Sequence, residues 1–175
     1  TNDIYSEIHP SWSADGKRIL FATDRISMDK GQFHGKWTMN IAELNVETKE
    51  VINFDLFYGA DNLNPEYNHE GTIVFLSDRD GYRNIYTFDP ETNKTLQLTK
   101  YKVGVSGITA YSPALSVSKS RDELLFSQYY DGKYTIYKAS SKDFPAEEID
   151  QQAIDYTAST LPIVGLQPQD MVNTN

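Results

Sequence analysis

The chain has 175 residues, of which 39% are apolar and 13% aromatic, enough for one domain with a buried core; disorder as its main state is excluded. Lys and Arg number 16 against 25 Asp and Glu, and the net charge of −9 repels phosphate backbones and anionic lipid, so no nucleic-acid partner is expected. The absence of cysteine removes disulfides, thiolate nucleophiles and Cys-type zinc sites, and no window reaches the ~18 consecutive apolar residues of a membrane span. The amino end, Thr1-Asn2-Asp3-Ile4, is neither basic nor apolar enough for a signal peptide, and there is no initiator Met, so the chain reads as a processed protein or a piece of a longer one.

The chain repeats itself. Residues 9–25, HPSWSADGKRILFATDR, return as residues 64–79, NPEYNHEGTIVFLSDR, and a weaker third copy starts at Ser112-Pro113-Ala114-Leu115-Ser116 and reaches Glu123-Leu124-Leu125-Phe126-Ser127. The prolines Pro10, Pro65 and Pro113 are 55 and 48 residues apart, slightly more than the roughly 40 to 50 residues of a propeller blade. The first copy carries a ten-residue insertion within Ile26 to Met39, because Phe21 to Ile41 spans 20 residues where Phe75 to Ile85 and Phe126 to Ile136 each span 10.

Each copy reads as short strands. Ile19-Phe21-Thr23, Ile73-Phe75-Ser77 and Leu124-Phe126-Gln128 keep period-two spacing of β-branched and aromatic residues after a polar or Gly-containing turn. Asn40 to Leu44, Asn84 to Phe88 and Thr135 to Ala139 form the next strand, Val51 to Asp55 and Leu96 to Thr99 the outer ones, and the Pro-led segments the innermost. No amphipathic helix stands out before residue 145. Four antiparallel strands per repeat, joined by tight turns such as Ala14-Asp15-Gly16-Lys17 and Arg79-Asp80-Gly81-Tyr82, predict an all-β chain of β-propeller blades. A β-sandwich is the structural alternative, but it gives no reason for one motif to recur. Blades are expected near residues 5–57, 60–100 and 108–150, making residues 1–150 a partial propeller and residues 151–175 an extended C-terminal segment or linker.

The pattern P-x-W-S-x-D-G-K-x-I-x-F-x-x-D-R, then D-G-x-x-x-I-Y, resembles the TolB-like, WD-related propeller repeat. It is carried by Pro10, Trp12, Asp15, Gly16, Asp24 and Arg25 in copy one, and by Pro65, Tyr67, Gly71, Asp78, Arg79, Asp80 and Gly81 in copy two. Copy three departs, with Leu115 at the Trp position and Tyr129-Tyr130 replacing Asp-Arg, but keeps Pro113, Asp131 and Gly132. Asp15-Gly16 supplies a positive-φ turn, Trp12 and Tyr67 offer apolar area between blades, and the Asp-Arg pairs tie strand ends to adjacent loops. The resemblance implies six-bladed rings of the bacterial periplasm, or one domain of larger envelope proteins and peptidases. It thus implies a periplasmic or outer-membrane-associated location and a protein partner, or other domains of the same polypeptide. Three blades do not close a ring, so further blades are expected before residue 1, with the chain running on or ending after Asn175.

No catalytic constellation is found, so the chain is expected not to be an enzyme. His9, His34 and His69 form no H-E-x-x-H, and neither a metal site nor a cofactor is predicted. His9 and His69 read as solvated or capping residues. Gly104-Val105-Ser106-Gly107-Ile108 has Ile where a nucleophile elbow needs Gly and no helix after it; it reads as a flexible inter-blade connector. Asp78-Arg79-Asp80-Gly81 lacks the ligand spacing of an EF-hand loop, and Asn93-Lys94-Thr95 is a sequon that matters only in a eukaryotic secretory setting.

The insertion mixes aromatics, basic residues and glycines that its hairpin does not need, and loops on rigid scaffolds often carry function. In propeller topology it shares a face with the inter-blade connectors. Met28, Lys30, Phe33, His34, Lys36 and Trp37, with Tyr58, Asp61, Tyr101 and Lys102 of the connectors, are therefore the predicted partner-binding residues. The bland alternative is that Phe33 and Trp37 merely pack on the neighbouring blade. Residues 143–152 are acidic and read as an outer strand or a turn of helix, and the propeller portion is expected to end near 145 to 158. The segment 161–170, with two prolines, reads as extended chain lying on a surface or leading to another domain. The functional expectation is a non-enzymatic interaction scaffold; the alternatives are an accessory propeller of a larger peptidase or hydrolase, and a sugar- or cation-binding propeller.

Overall fold

The computed structural model describes residues 2–32 and 35–155. These residues form three antiparallel sheets. The first blade is a meander of β1 (Glu7–Trp12), β2 (Arg18–Thr23), β3 (Asn40–Asn45) and β4 (Val51–Phe54). The second contains β5 (Asn62–Tyr67), β6 (Ile73–Ser77), β7 (Asn84–Asp89) and β8 (Lys94–Gln97), and the third β9 (Leu115–Val117), β10 (Leu124–Tyr130) and β11 (Lys133–Ala139). The all-β fold with propeller-type antiparallel sheets is as read from the repeat.

Two features differ from that reading. The third blade has three strands among the described residues. The segment expected to complete it supplies β12 (Glu147–Glu148), which pairs with β8 and becomes a fifth strand of the second blade. A six-residue helix, α1 (Arg25–Lys30), also stands where no helix was expected. At under two turns it is too short to show a 3.6-residue period in the sequence, and tertiary contacts sustain it, with Ile26 and Ser27 buried.

The second blade shows why its strands are almost continuously apolar. Successive side chains alternate between the faces of a strand, and both faces here are covered. Ile73, Phe75, Tyr86 and Phe88 enter one core with Leu20, Ile41, Leu56 and Phe57 of the first blade and its connector. Val74, Leu76 and Ile85 enter the other with Leu115, Val117, Leu124 and Phe126 of the third. Burying one such side chain fully is worth about 1.5–3 kcal/mol, so stacking between blades is the main source of stability.

The strand registers correct the sequence alignment of the third copy. Trp12 lies opposite Ile19 and Tyr67 opposite Ile73, and the corresponding pair in the third blade is Val117 with Leu124. The residue at the Trp position is therefore Val117, not Leu115, and Leu115 rather than Pro113 stands at the position of Pro10 and Pro65. Pro113 belongs to the approach to the strand. In the first two copies the residue before the proline, His9 or Asn64, has φ of 56° or 52° and sits at a β-bulge, a conformation that Asn and His tolerate better than most side chains. The bulge turns these side chains toward the next blade: Asn64 N donates to His9 Nδ1 at 3.3 Å, and Ala114 N donates to Asn64 Oδ1 at 3.4 Å. With Pro113 moved two places, these are one interaction repeated at two blade boundaries. His9 is thus a bridging residue, its Nε2 lying 2.7 Å from the Tyr111 carbonyl oxygen.

Buried polar contacts add to the stacking. Tyr67 donates its hydroxyl to Glu43 of the first blade, Arg18 lies 5.1 Å over the Tyr67 ring, and burial together with the Glu43 carboxylate pushes the phenol far above its ordinary range. Trp12, one blade earlier, is 49% exposed because no described element covers that face, whereas Tyr67 is buried.

Candidate interaction face

The three connections between the second and third strands of each blade emerge at one end of the sheets. They span 24–39 in the first blade, 78–83 in the second and the two residues Asp131-Gly132, both at positive φ, in the third. Antiparallel geometry puts the connectors between blades at the same end, and hydrogen bonds knit them together. Asp24 Oδ1 accepts from Ser6 N at 2.9 Å and Asp78 Oδ1 from Asp61 N at 2.8 Å, each amide just ahead of an innermost strand. Burial pushes the Asp78 carboxyl above its ordinary range despite that donation. Arg25 bonds Asp3 and Glu7, and Arg79 Nε donates to the Ala153 carbonyl, so the Asp-Arg pairs tie strand ends to neighbouring segments. Asn84 Oδ1 accepts from Tyr101 N and the Thr99 hydroxyl, both at 2.8 Å. Asn40, at the corresponding position, accepts from the Asn62 side chain.

On this base sits the insertion. Its two limbs meet where Thr38 N donates to the buried Ser27 Oγ at 3.0 Å. It is anchored to the first connector by Tyr58, whose hydroxyl donates to the Gly31 carbonyl at 2.8 Å, and by Met39 N, which donates to Asp61 Oδ1 at 2.9 Å. Lys30 pairs with Asp55 and lies 5.0 Å over the Tyr58 ring. Lys30, Tyr58 and Asp61 are therefore brought together as fastenings, while Met28 and Trp37 are 37% and 49% exposed beside exposed Lys36. Phe33 and His34 lie outside the described residues.

Tyr101 and Lys102 occupy the next connector. Tyr101 is part-buried and stacks on Phe126 at 5.9 Å, whereas Lys102 is exposed on the wall of a cavity with Arg79, Asp80 and Asp155. The segment 104–108 is not loose: Val105 is fully buried and Val105 N donates to the Arg83 carbonyl. Val103, Ile108 and Tyr111, which are not among the predicted partner-binding residues, are 53%, 82% and 49% exposed on or beside this face. Their signal in the sequence is large apolar side chains in a Gly- and Ser-containing connector, outside the strand pattern. Among the described residues no group of three or more His, Asp or Glu could hold a metal ion, and no helix is long and apolar enough to cross a membrane.

No family model and no curated protein matches the chain. Solved structures do. TolB from Acinetobacter baumannii superposes with a TM-score of 0.52 at 19% identity, over 84% of this chain and 33% of that one. A puromycin hydrolase superposes with a TM-score of 0.57 at 14% identity, over 83% of this chain and 22% of that one. The chain thus spans a third or less of these structures, and at such identities the likeness concerns the fold: this chain is built from β-propeller blades.

Proposed function

We propose that this chain is the propeller part of a non-enzymatic protein-interaction scaffold of the bacterial cell envelope, periplasmic or outer-membrane-associated, with the loop face as its contact surface. The observation that carries this reading is the insertion, an extra segment containing α1 that holds Met28, Lys36 and Trp37 out on a hydrogen-bonded base where the fold has no need of them. Exposed apolar and aromatic side chains beside basic ones on a rigid platform are the material of protein interfaces. The TolB likeness agrees with the reading. The puromycin hydrolase likeness favours a second one, in which the propeller is an accessory domain and the loop face meets another domain of the same polypeptide.

A photo-crosslinking residue at position 37 of the parent protein tests both, with position 91, in the turn at the opposite end of the sheets, as control. A discrete adduct to another protein from position 37 but not 91 supports the scaffold. An internal crosslink to a further domain supports the accessory reading. Equal labelling from both positions contradicts a role for this face.

A further inference from the structure

The chain carries 25 acidic residues against 16 Lys and Arg, so an arginine without a carboxylate partner stands out. Arg18 is paired with Glu43 at 3.6 Å, Arg25 with Asp3 and Glu7, and Arg121 with Glu123 at 3.2 Å. Arg79 lies 5.4 Å over the Phe57 ring and donates to the Ala153 carbonyl. Arg83, at the end of the loop between β6 and β7, is left over. Among the described residues no carboxylate comes within 4.0 Å of it, its one side-chain hydrogen bond runs from Nη1 to the Ala110 carbonyl at 2.8 Å, and its buried Nε has no partner. Beside it is a cavity of about 440 Å³ between residues 78–83 and the connector 103–110. Its walls are fixed to each other: Val105 N donates to the Arg83 carbonyl at 2.6 Å, and Gly104, at φ 70°, comes so close that a β-carbon there would sit 3.2 Å from the same oxygen.

We infer that this cavity takes the carboxylate of an Asp or Glu side chain, followed by an apolar residue, from the polypeptide that meets the loop face. The inference rests on the role proposed for that face and names the chemistry it recognises. A planar guanidinium with unused N–H donors is the side chain best matched to a carboxylate, which it holds through paired charge-assisted hydrogen bonds. Ala110 fixes the plane of the Arg83 guanidinium through Nη1, while Nη2 has no partner among the described residues, so the donor is oriented before a ligand arrives and little ordering is lost on binding. Its place in a recess strengthens the attraction over that of a fully solvated cation. Asp78, on the cavity wall, does not use up the charge: it lies beyond ion-pair distance of Arg83 and accepts from Asp61 N. Val103 and Ile108, exposed on the wall, offer contact to the apolar residue that follows the acid. Both walls come from the second blade and its connector, so the cavity exists without any further blade.

The probe is the capped peptide acetyl-Gly-Glu-Leu-Gly-amide, titrated at neutral pH into the 175-residue chain and followed by proton–nitrogen NMR at the Arg83 side-chain Nε–H and the backbone amides of residues 103–110. The same peptide with Gln for Glu, and free acetate, are the controls. The expected result is saturable shifts at these groups with a Kd of about 1 mM or lower, and at least about tenfold weaker binding of both controls. Arg83→Gln, read at the backbone amides, weakens binding of the Glu peptide by at least about tenfold. Ile108→Ser, a change at an exposed side chain that leaves the fold intact, weakens it about threefold. Equal binding of the Glu and Gln peptides, acetate binding as tightly as the peptide, no saturable shift at millimolar peptide, or unaltered binding by Arg83→Gln or Ile108→Ser would overturn the proposal. No partner protein enters this assay, so its failure and a failure of the crosslink from position 37 are read separately.

Discussion

The second and third blades are built from the same repeat, yet among the described residues one is covered on both faces and the other on one. Val74 and Ile85 are 2% and 0% exposed; Leu125 and Ile136, at the corresponding positions of the third blade, are 43% and 73% exposed. The pattern in the strand is the same, so burial here is set by the neighbour. A blade contributes little alone: it becomes a stable layer when another presents a complementary face, as expected of repeat folds whose energetics are dominated by nearest-neighbour contacts. Position in the stack, more than the local sequence, decides what each residue is worth.

The widest gap is expected between Ile85→Ala and Ile136→Ala. The first opens a cavity in the core between the second and third blades and costs about 2–5 kcal/mol; the second trims an exposed side chain and stays within about 0.5 kcal/mol. Urea denaturation of the two variants measures both, and equal losses would break the comparison. Next comes Tyr67→Phe, which removes the hydroxyl given to Glu43 and leaves a mostly buried carboxylate short of a donor, at a cost of about 1–3 kcal/mol by the same assay. Asn64→Ala leaves a β-carbon at φ 52° without the short polar side chain that makes Asn tolerant of that conformation, and removes the acceptor for Ala114 N, costing about 1–2 kcal/mol. Asn64→Gly relieves the backbone part of that loss, so its thermal midpoint falls between those of wild type and Asn64→Ala.

The smallest effect is a pH dependence. Burial raises the Glu66 carboxyl above its usual value of 4.5, against the opposing donation from Val117 N. The folded chain therefore holds this proton more tightly than the unfolded chain, and ionised Glu66 weakens the fold above the folded pKa. Glu66→Gln keeps an acceptor for Val117 N and is expected to raise the unfolding midpoint at neutral pH, a gain that shrinks to nothing as pH falls below about 4.5. A gain that persists under acid would locate the effect elsewhere.

Much of this was legible in the residues because the repeat is local in sequence. The motif around Pro10 and Pro65 and the phenylalanines at 21, 75 and 126 marked the strands, and the excess between Phe21 and Ile41 located the insertion. What was illegible depended on distant partners. Pro113 is a false anchor, since Leu115 holds the position of Pro10 and Pro65 in the third blade, and only strand register reveals it. The diversion of residues 147–148 to β8 is a choice between two edges that the sequence of either strand does not announce. The same holds at the candidate face. The insertion drew attention to Met28, Lys36 and Trp37, but Lys30, Tyr58 and Asp61 prove to be fastenings, because their partners Asp55, Gly31 and Met39 come from across a loop.

Residue-resolved hydrogen exchange of the 175-residue chain tests the central claim, that blade coverage rather than local sequence sets stability. The account predicts slowest exchange in β6 and β7, covered on both faces, and markedly faster exchange at the outer amides of β11 and at the edge of the third blade. Equal protection of β7 and β11 would contradict it.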